Sequence, residues 1–222
     1  MSLFSWLGSL LSILADQLDP LFGASATAAA IVVFTLCVRA ALHPLTRAAV
    51  RGEKARARLA PEVAELSRRH RDDPERMRRA LGELRAKEGA SPVAGCLPAL
   101  VQLPVFFVMY HVFSTGSGAG DLLDHTLAGA PLGGRWDGAL GGSQGLVHLV
   151  LFALIAAVAT WTWRRARRTA VPGAPGLTRV LPLLSFGTVV TAALVPLAAG
   201  LYLATSTTWT AVERALLHRG GS

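Results

Sequence analysis

Few residues of this chain are charged and cysteine is scarce, and each shortage narrows the class of protein. Charged residues make up 16% of the 222 residues, whereas hydrophobic residues make up 52%. A soluble domain of this length needs a more polar surface, so the composition argues against a soluble globular protein. The two cysteines, Cys37 and Cys96, lie in or beside apolar runs, which argues against a structural disulfide.

Motifs of several function classes are also missing. There is no P-loop for a nucleotide, and the six histidines are scattered without the spacing of metal ligands. No Asp or Glu lies inside a long apolar run, where it could serve as a counter-ion or a proton relay. We therefore expect no cofactor, no metal and no catalytic residue, which argues against an intramembrane enzyme.

Long apolar runs are what the sequence does contain. A run of about 20 apolar residues spans the ~30 Å hydrocarbon core as a helix, and five runs predict such helices, named TM1 to TM5. The predicted fold class is an all-α membrane protein with its core over residues 26–214. The predicted elements, in chain order, are an N-terminal amphipathic interfacial segment (1–25), TM1 (26–45), a cytoplasmic helical hairpin (46–91), TM2 (93–113), an outer loop (114–145), TM3 (146–163), TM4 (180–195), TM5 (197–212) and a short cytoplasmic tail (215–222).

The segment before TM1 is apolar but interrupted by polar residues. Leucines recur at helical spacing over residues 2–18, and the serines fall largely on other faces of the helix. A membrane span here would have to carry Asp16 and Asp19. The pattern therefore predicts an amphipathic helix that lies in the membrane interface.

The polar stretch between TM1 and TM2 is patterned as two helices. The first covers residues 47–70, and the second opens at Asp73-Pro74, an N-cap residue followed by proline at the first helical position, and ends near Gly89. Two helices joined by so short a break form an antiparallel hairpin. Its apolar residues are few, so we expect it to be mobile. The Gly-rich outer loop is predicted to hold at most one short helix, at residues 121–127.

Basic residues flank the apolar runs, and their distribution predicts the orientation of the chain. Residues 47–87 hold 13 of the 22, residues 164–179 hold 5 and the end of the chain holds Arg214 and Arg219, whereas the outer loop holds only Arg135. Because cytoplasmic loops carry the excess of Lys and Arg, the N-terminus is predicted outside and the C-terminus in the cytoplasm. The net charge of +8 then points to anionic lipid rather than DNA as a partner.

One basic residue, Arg39, lies inside TM1. An Arg at the middle of a membrane helix costs roughly 2.5–3.5 kcal/mol on insertion scales. One interpretation is that Arg39 reaches the cytoplasmic interface with its long side chain. The other is that it faces a hydrated cavity, since Thr35 and His43 lie four residues on either side and share its helix face.

Other predicted spans add polar side chains. TM2 contains Gln102, TM4 contains Ser185, Thr188 and Thr191, and the polar cluster of TM5 lies between residues 205 and 210. Ser and Thr commonly bond to their own helix or join helices together, so alone they indicate little. Together with Arg39 they favour a hydrophilic groove that reaches part-way across the bilayer.

Several short motifs stand at the ends and within the predicted spans. They are, in chain order, Arg39 with Leu42 and Pro44-Leu45-Thr46; residues 95–107 (GCLPALVQLPVFF) with Tyr110-His111-Val112; Leu181-Pro182-Leu183-Leu184; and Pro196 with Gly200-Leu201-Tyr202-Leu203. These motifs resemble those of the YidC/Oxa/Alb family of membrane protein insertases, in the short form without a large extracytoplasmic domain. The order of span, basic hairpin, two spans, short loop and two spans is also similar, and the likeness covers about residues 24–214.

The resemblance implies a five-helix core with a groove open to the cytoplasm and to lipid, in the bacterial cell membrane. Nascent membrane proteins and the lipid bilayer are the implied partners, with the ribosome and the Sec translocon as further candidates. The alternative function is a small-solute transporter or channel, although five spans show none of the paired repeats common in transporters. The candidate groove residues are Arg39, Thr35, Gln102, Tyr202 and Thr205.

Overall fold

The computed structural model describes residues 3–70, 73–87, 107, 111, 123–136, 141–168 and 186–219. Helices make up most of this part of the chain, which folds as two compact units. The elements are α1 (Leu3–Phe22), a 3-10 turn (Gly23–Ser25), α2 (Ala26–Ala41), α3 (His43–Arg69), α4 (Pro74–Lys87), β1 (Thr126–Leu127), β2 (Ala130–Pro131), α5 (Gly142–Arg168), α6 (Gly187–Leu194) and α7 (Leu197–Arg219).

The first unit, residues 1–40 and 105–215, has an apolar core to which α1, α2, α5, α6 and α7 contribute buried side chains. In α1 the buried side chains include Leu7 and Leu11, and in α5 they include Leu151 and Ile155. Each pair is four residues apart, the spacing that places side chains on one face of a helix. The helices α5 and α6 pack together, and α7 approaches α5 so closely that a Cβ at Gly200 would lie 2.7 Å from Leu151 Cδ2.

Residues 123–136, which we name the loop cap, form a compact part of the same core. The strands β1 and β2 pair antiparallel, and Ala130 and Leu132 are completely buried. The first N–H groups of a helix have no partner within the helix. Here the N–H of Leu197 donates to the carbonyl of Gly134 at 2.9 Å, and the N–H of Ala198 donates to that of Leu132 at 2.9 Å. The loop cap therefore provides acceptors for two of the free N–H groups at the start of α7.

The short helix predicted at residues 121–127 is wrong for the end of that stretch, although Leu123 has a 3-10 conformation. Thr126 and Leu127 form β1, and the chain then turns at Ala128 and Gly129, both with positive φ. A two-residue turn with positive φ at both positions matches the twist of paired strands. The N–H of Leu132 donates to the carbonyl of His125, which closes this turn into an ordered loop.

The second unit, residues 41–104 and 216–222, contains the helical hairpin of α3 and α4. The helix α4 begins at Pro74, as predicted, and Asp73 Oδ1 accepts from the N–H of Arg76 at 3.0 Å. At the base of α3, Lys54 Nζ donates to the carbonyl of Leu217 at 3.0 Å. Between α3 and α4 runs a shallow cleft that is lined by Glu62, Glu65, Leu66, Arg69, Ala80, Glu83 and Leu84.

Two helical stretches of the described residues are long and apolar enough to cross a membrane, Trp6–Ala41 and Gly142–Arg167. The first ends before residue 45, the predicted end of TM1, because the helix breaks at Leu42 and Pro44 lies in the first turn of α3. Proline fits that position, where its missing N–H needs no partner. Between α6 and α7, Val195 is extended and Pro196 separates the helices, where the sequence placed a break. Most of TM2 lies outside the described residues.

Candidate functional site

The guanidinium of Arg39 is held inside the first unit by the last helix of the chain. Arg39 Nε donates to Ser206 Oγ at 3.0 Å, and a second guanidinium nitrogen donates to the same oxygen. Arg39 is half-buried, whereas Ser206 is 3% exposed. The side chain therefore turns toward α7, and a snorkelling Arg would instead extend to the interface.

One face of α7 carries the polar side chains that belong to this site. At about 100° per residue, Tyr202, Ser206, Trp209 and Glu213 fall within about 60° of one another around the helix. Tyr202 is 4% and Glu213 is 5% exposed. The carboxylate of Glu213 acts electrostatically on Arg39. The buried Nε1 of Trp209 finds no acceptor among the described residues, so this face also holds an available donor.

The predicted groove residues Thr35 and Thr205 bond to their own helices. Thr35 is 2% exposed, and its hydroxyl donates to the carbonyl of Ile31 at 2.7 Å. Thr205 donates to the carbonyl of Leu201 at 2.9 Å. Such back-bonding satisfies the hydroxyl proton in apolar surroundings but leaves oxygen lone pairs that can accept. Both threonines can therefore line a polar surface only as acceptors.

Two other residues named from the sequence lie outside the helix α2 or outside the described residues. His43 belongs to α3, beyond the break at Leu42, so the continuous face of α2 carries Thr35 and Arg39 alone. Gln102 lies outside the described residues, as does Ser185 of TM4. Thr191 of the same span is described, and its hydroxyl donates to the carbonyl of Gly187 at 3.0 Å.

Ser206 and Glu213 are the site residues that sequence reasoning missed. Ser206 lies within the polar cluster of TM5 and does not stand out there, and Glu213 follows the predicted end of that span by one residue. The structure continues α7 through Glu213 and buries its carboxylate. The spacing of Tyr202, Ser206 and Glu213 on one helix face was the signal that could have found them. The structure therefore places a buried carboxylate in α7, the helix that holds the guanidinium of Arg39, just beyond the apolar run of that helix.

The arrangement provides a fixed positive charge with polar neighbours among apolar helices. Fixed donors in such surroundings attract anions more strongly than they would in water, because the local dielectric constant is lower. The guanidinium of Arg39 can therefore bind a carboxylate or another hydrogen-bond acceptor reversibly.

Comparison with known proteins agrees with this setting. The family described as 60Kd inner membrane protein matches residues 18–221 of the chain. The chain is 43% identical over 83 residues, 37% of its length, to a protein of Granulibacter bethesdensis named Membrane protein insertase YidC, and 43% identical over 83 residues to the protein of that name from Campylobacter jejuni. These alignments span 14% and 16% of the lengths of those two relatives. Since the family match covers most of the chain, the protein belongs to the family of 60Kd inner membrane proteins of bacteria, which is the YidC/Oxa/Alb family.

Proposed function

We propose that the chain is a membrane protein insertase and chaperone. It passes nascent hydrophobic segments and short polar tails from the cytoplasm into the bilayer through a hydrophilic, positively charged groove. The observation that carries this proposal is the position of Arg39, inside an apolar helix and bonded to Ser206 of α7. The names of the relatives support the same function.

The proposed mechanism needs only electrostatics and apolar burial. A hydrated half-channel shortens the low-dielectric path that a polar tail must cross. At an effective dielectric constant near 20, a carboxylate ~4 Å from Arg39 gains about 4 kcal/mol before desolvation. The apolar segment of the nascent protein that is being inserted, which we call the passenger, then moves sideways into lipid. Burial of its apolar surface favours this step by roughly 25 cal/mol per Å². No nucleotide and no bond-making step is required, so the protein is not an enzyme.

We propose that Arg39 and Gln102 line the groove with polar groups and that Thr35 lies beside them. Tyr202 and Thr205 are the proposed contacts for the passenger. The burial of Tyr202 on the face of α7 that bears Ser206 supports its part. Thr205 lies about 60° from Tyr202 around the same helix and offers oxygen lone pairs. The indole N–H of Trp209 is a further donor that a passenger carbonyl could accept.

Five membrane spans with the N-terminus outside and the C-terminus in the cytoplasm complete the proposal. Exposed apolar side chains of α5, among them Leu146, Val150 and Leu154, suit contact with lipid. At the basic end of α5, Arg167 stacks over Trp163 at 4.8 Å, as expected of an interfacial belt facing anionic headgroups. The exposure of Asp16 in α1 agrees with an interfacial amphipathic helix.

Nascent membrane proteins in the bilayer are the proposed substrates. The helical hairpin offers a charged surface on which passengers, and with them the ribosome or the Sec translocon, could first be received. Most of its side chains are exposed, including those of the ion pair between Arg69 and Glu65. We propose that this hairpin moves as a unit at the cytoplasmic mouth and helps to recruit passengers.

Substitution of Arg39 tests the groove. Arg39→Ala is expected to impair insertion of passengers with acidic N-terminal tails by about tenfold or more while the protein still accumulates. Arg39→Lys keeps the positive charge and loses only the planar set of N–H donors of the guanidinium. It is therefore expected to retain part of the activity. Insertion can be followed by protease protection of the passenger tail. Normal insertion by Arg39→Ala would contradict the electrostatic mechanism.

A photocrosslinker at Tyr202 distinguishes the proposed insertase function from the alternative function, a small-solute transporter or channel. Capture of a ribosome-bound nascent membrane protein is the expected result. Labelling by small solutes without capture of any nascent chain would support a transporter or channel instead. A crosslinker at Asp16, exposed on α1, is the matched control and is expected to capture far fewer nascent chains.

Labelling of single cysteines tests the orientation in a variant whose Cys37 and Cys96 are replaced. A cysteine at Gly141 is expected to react with an impermeant thiol reagent from outside intact cells. A cysteine at Ser67, on the helical hairpin, is expected to react only after the membrane is opened. The reverse pattern would contradict the orientation that the basic residues predict.

A further inference from the structure

A buried carboxylate lies on the same face of α7 as the serine that holds Arg39. Glu213 is 5% exposed, and Ser206 lies seven residues before it, close to two helical turns. A carboxylate is stable at such a depth only if a positive charge or strong donors compensate its lost hydration. Arg39 belongs to the same compact unit and interacts electrostatically with Glu213.

The position of Arg39 brings its charge within the electrostatic reach of Glu213. The bond from Arg39 Nε to Ser206 Oγ keeps the guanidinium at the level of Ser206. Seven residues of helix rise by about 10 Å, and the long side chains of Arg39 and Glu213 can shorten that separation. Glu213 is therefore near enough to weaken the positive potential at Arg39, while Ser206 accepts from the guanidinium.

We propose that Glu213 is the resident counter-charge of Arg39 and thereby sets how acidic a passenger tail must be to enter the groove. The inference rests on the proposed insertase function and adds a specificity-determining residue to it. In the resting protein, the carboxylate of Glu213 compensates part of the charge of Arg39. A passenger that brings its own carboxylate competes with Glu213 for that charge, whereas a neutral tail gains nothing from it.

The test compares Glu213→Gln with the original chain on passengers that differ only in having zero, one or two acidic residues in the tail. Asp16→Asn, on the exposed face of α1, makes the same change in net charge and is the matched control. We compare the insertion efficiency of the passenger with one acidic residue in its tail with that of the passenger with none. With the counter-charge removed, the ratio of the first to the second is expected to rise about three- to tenfold. The control is expected to leave that ratio unchanged.

A merely structural role of Glu213 would give another result. Loss of a structural contact lowers insertion of all passengers by a common factor, so an unchanged ratio would overturn the proposal. In the background of Arg39→Ala, Glu213→Gln is expected to have no effect on the ratio, since the charge that Glu213 compensates is absent. An equal effect in both backgrounds would also overturn it.

The same experiments distinguish failure of this inference from failure of the proposed function. If Arg39→Ala abolishes the preference for acidic tails but Glu213→Gln does not alter it, the proposed role of Glu213 is wrong and the proposed function stands. If Arg39→Ala leaves the preference intact, the groove mechanism itself is wrong. Should Glu213→Gln not accumulate, the exchanged pair Arg39→Glu with Glu213→Arg is expected to accumulate and to prefer basic tails. An exchanged pair that fails to accumulate, or that still prefers acidic tails, would overturn the proposal.

Discussion

The loop cap and the helical hairpin differ in a way that their compositions do not suggest. The loop cap is rich in glycine, yet Ala130 and Leu132 are completely buried and its carbonyls accept from the first N–H groups of α7. The helical hairpin consists of two regular helices, yet most of its described side chains are exposed, and the ion pair between Arg76 and Asp73 lies at the surface.

Local regularity and stability are therefore separate properties in this protein. Segments with few buried apolar contacts open at low free energy, whatever their secondary structure. Glycine at Gly134 permits a close approach, since a Cβ there would lie 3.0 Å from the carbonyl oxygen of Pro131. The exposed ion pairs of the helical hairpin contribute about 0–1 kcal/mol each. We infer that the loop cap is among the last parts to open and the helical hairpin among the first.

Truncation of a leucine in each region should give the largest contrast. Leu132→Ala removes a completely buried side chain and is expected to lower the free energy of unfolding by about 2–5 kcal/mol. Leu66→Ala, on a half-buried side chain of the helical hairpin, is expected to lower it by about 1 kcal/mol. Thermal unfolding in detergent micelles measures both. Equal losses would show that the two regions are equally well packed.

Replacement of the outer part of the helical hairpin tests whether this region has a function beyond joining spans. A Gly/Ser linker in place of residues 59–84 is expected to reduce insertion about tenfold, equivalent to about 1.4 kcal/mol, with every span still correctly inserted. Insertion is measured with a single-span passenger, and correct topology is checked by cysteine labelling. Full activity of this variant would leave the hairpin as a solvated spacer that only sets topology.

Alanine at one glycine of each region should give the smallest effects, with opposite signs. Gly134→Ala is expected to destabilise the protein by about 1 kcal/mol, because its Cβ would meet backbone and side-chain atoms at 3.0–3.1 Å. Gly82→Ala lies within α4 with no atom within 4 Å, and is expected to stabilise that helix by about 0.5–1 kcal/mol. Thermal unfolding measures the effect of Gly134→Ala, and hydrogen exchange of α4 measures the effect of Gly82→Ala. A shift of the same sign in both variants would contradict the contrast.

Sequence reasoning succeeded where one segment alone decides the structure. The pair Asp73-Pro74 starts α4 because an N-cap side chain and a proline act within a single turn. It did not foresee the loop cap, since the order of that segment comes from bonds to α7, such as that between Leu197 and Gly134. It placed Glu213 outside TM5 because a search for apolar runs ends at the first charge, whereas a buried carboxylate can continue the helix beside a cation.

The bond between Arg39 and Ser206 also has a consequence for how this protein is itself made. The hydroxyls of Thr35 and Thr205 are satisfied within their own helices as soon as those helices form. The guanidinium of Arg39 depends on a residue 167 positions later in the chain. At a synthesis rate of about 5–20 residues per second, roughly 10–30 s pass before the ribosome supplies that residue. We therefore expect the guanidinium of Arg39 to stay hydrated during synthesis until α7 is made and completes its bonding.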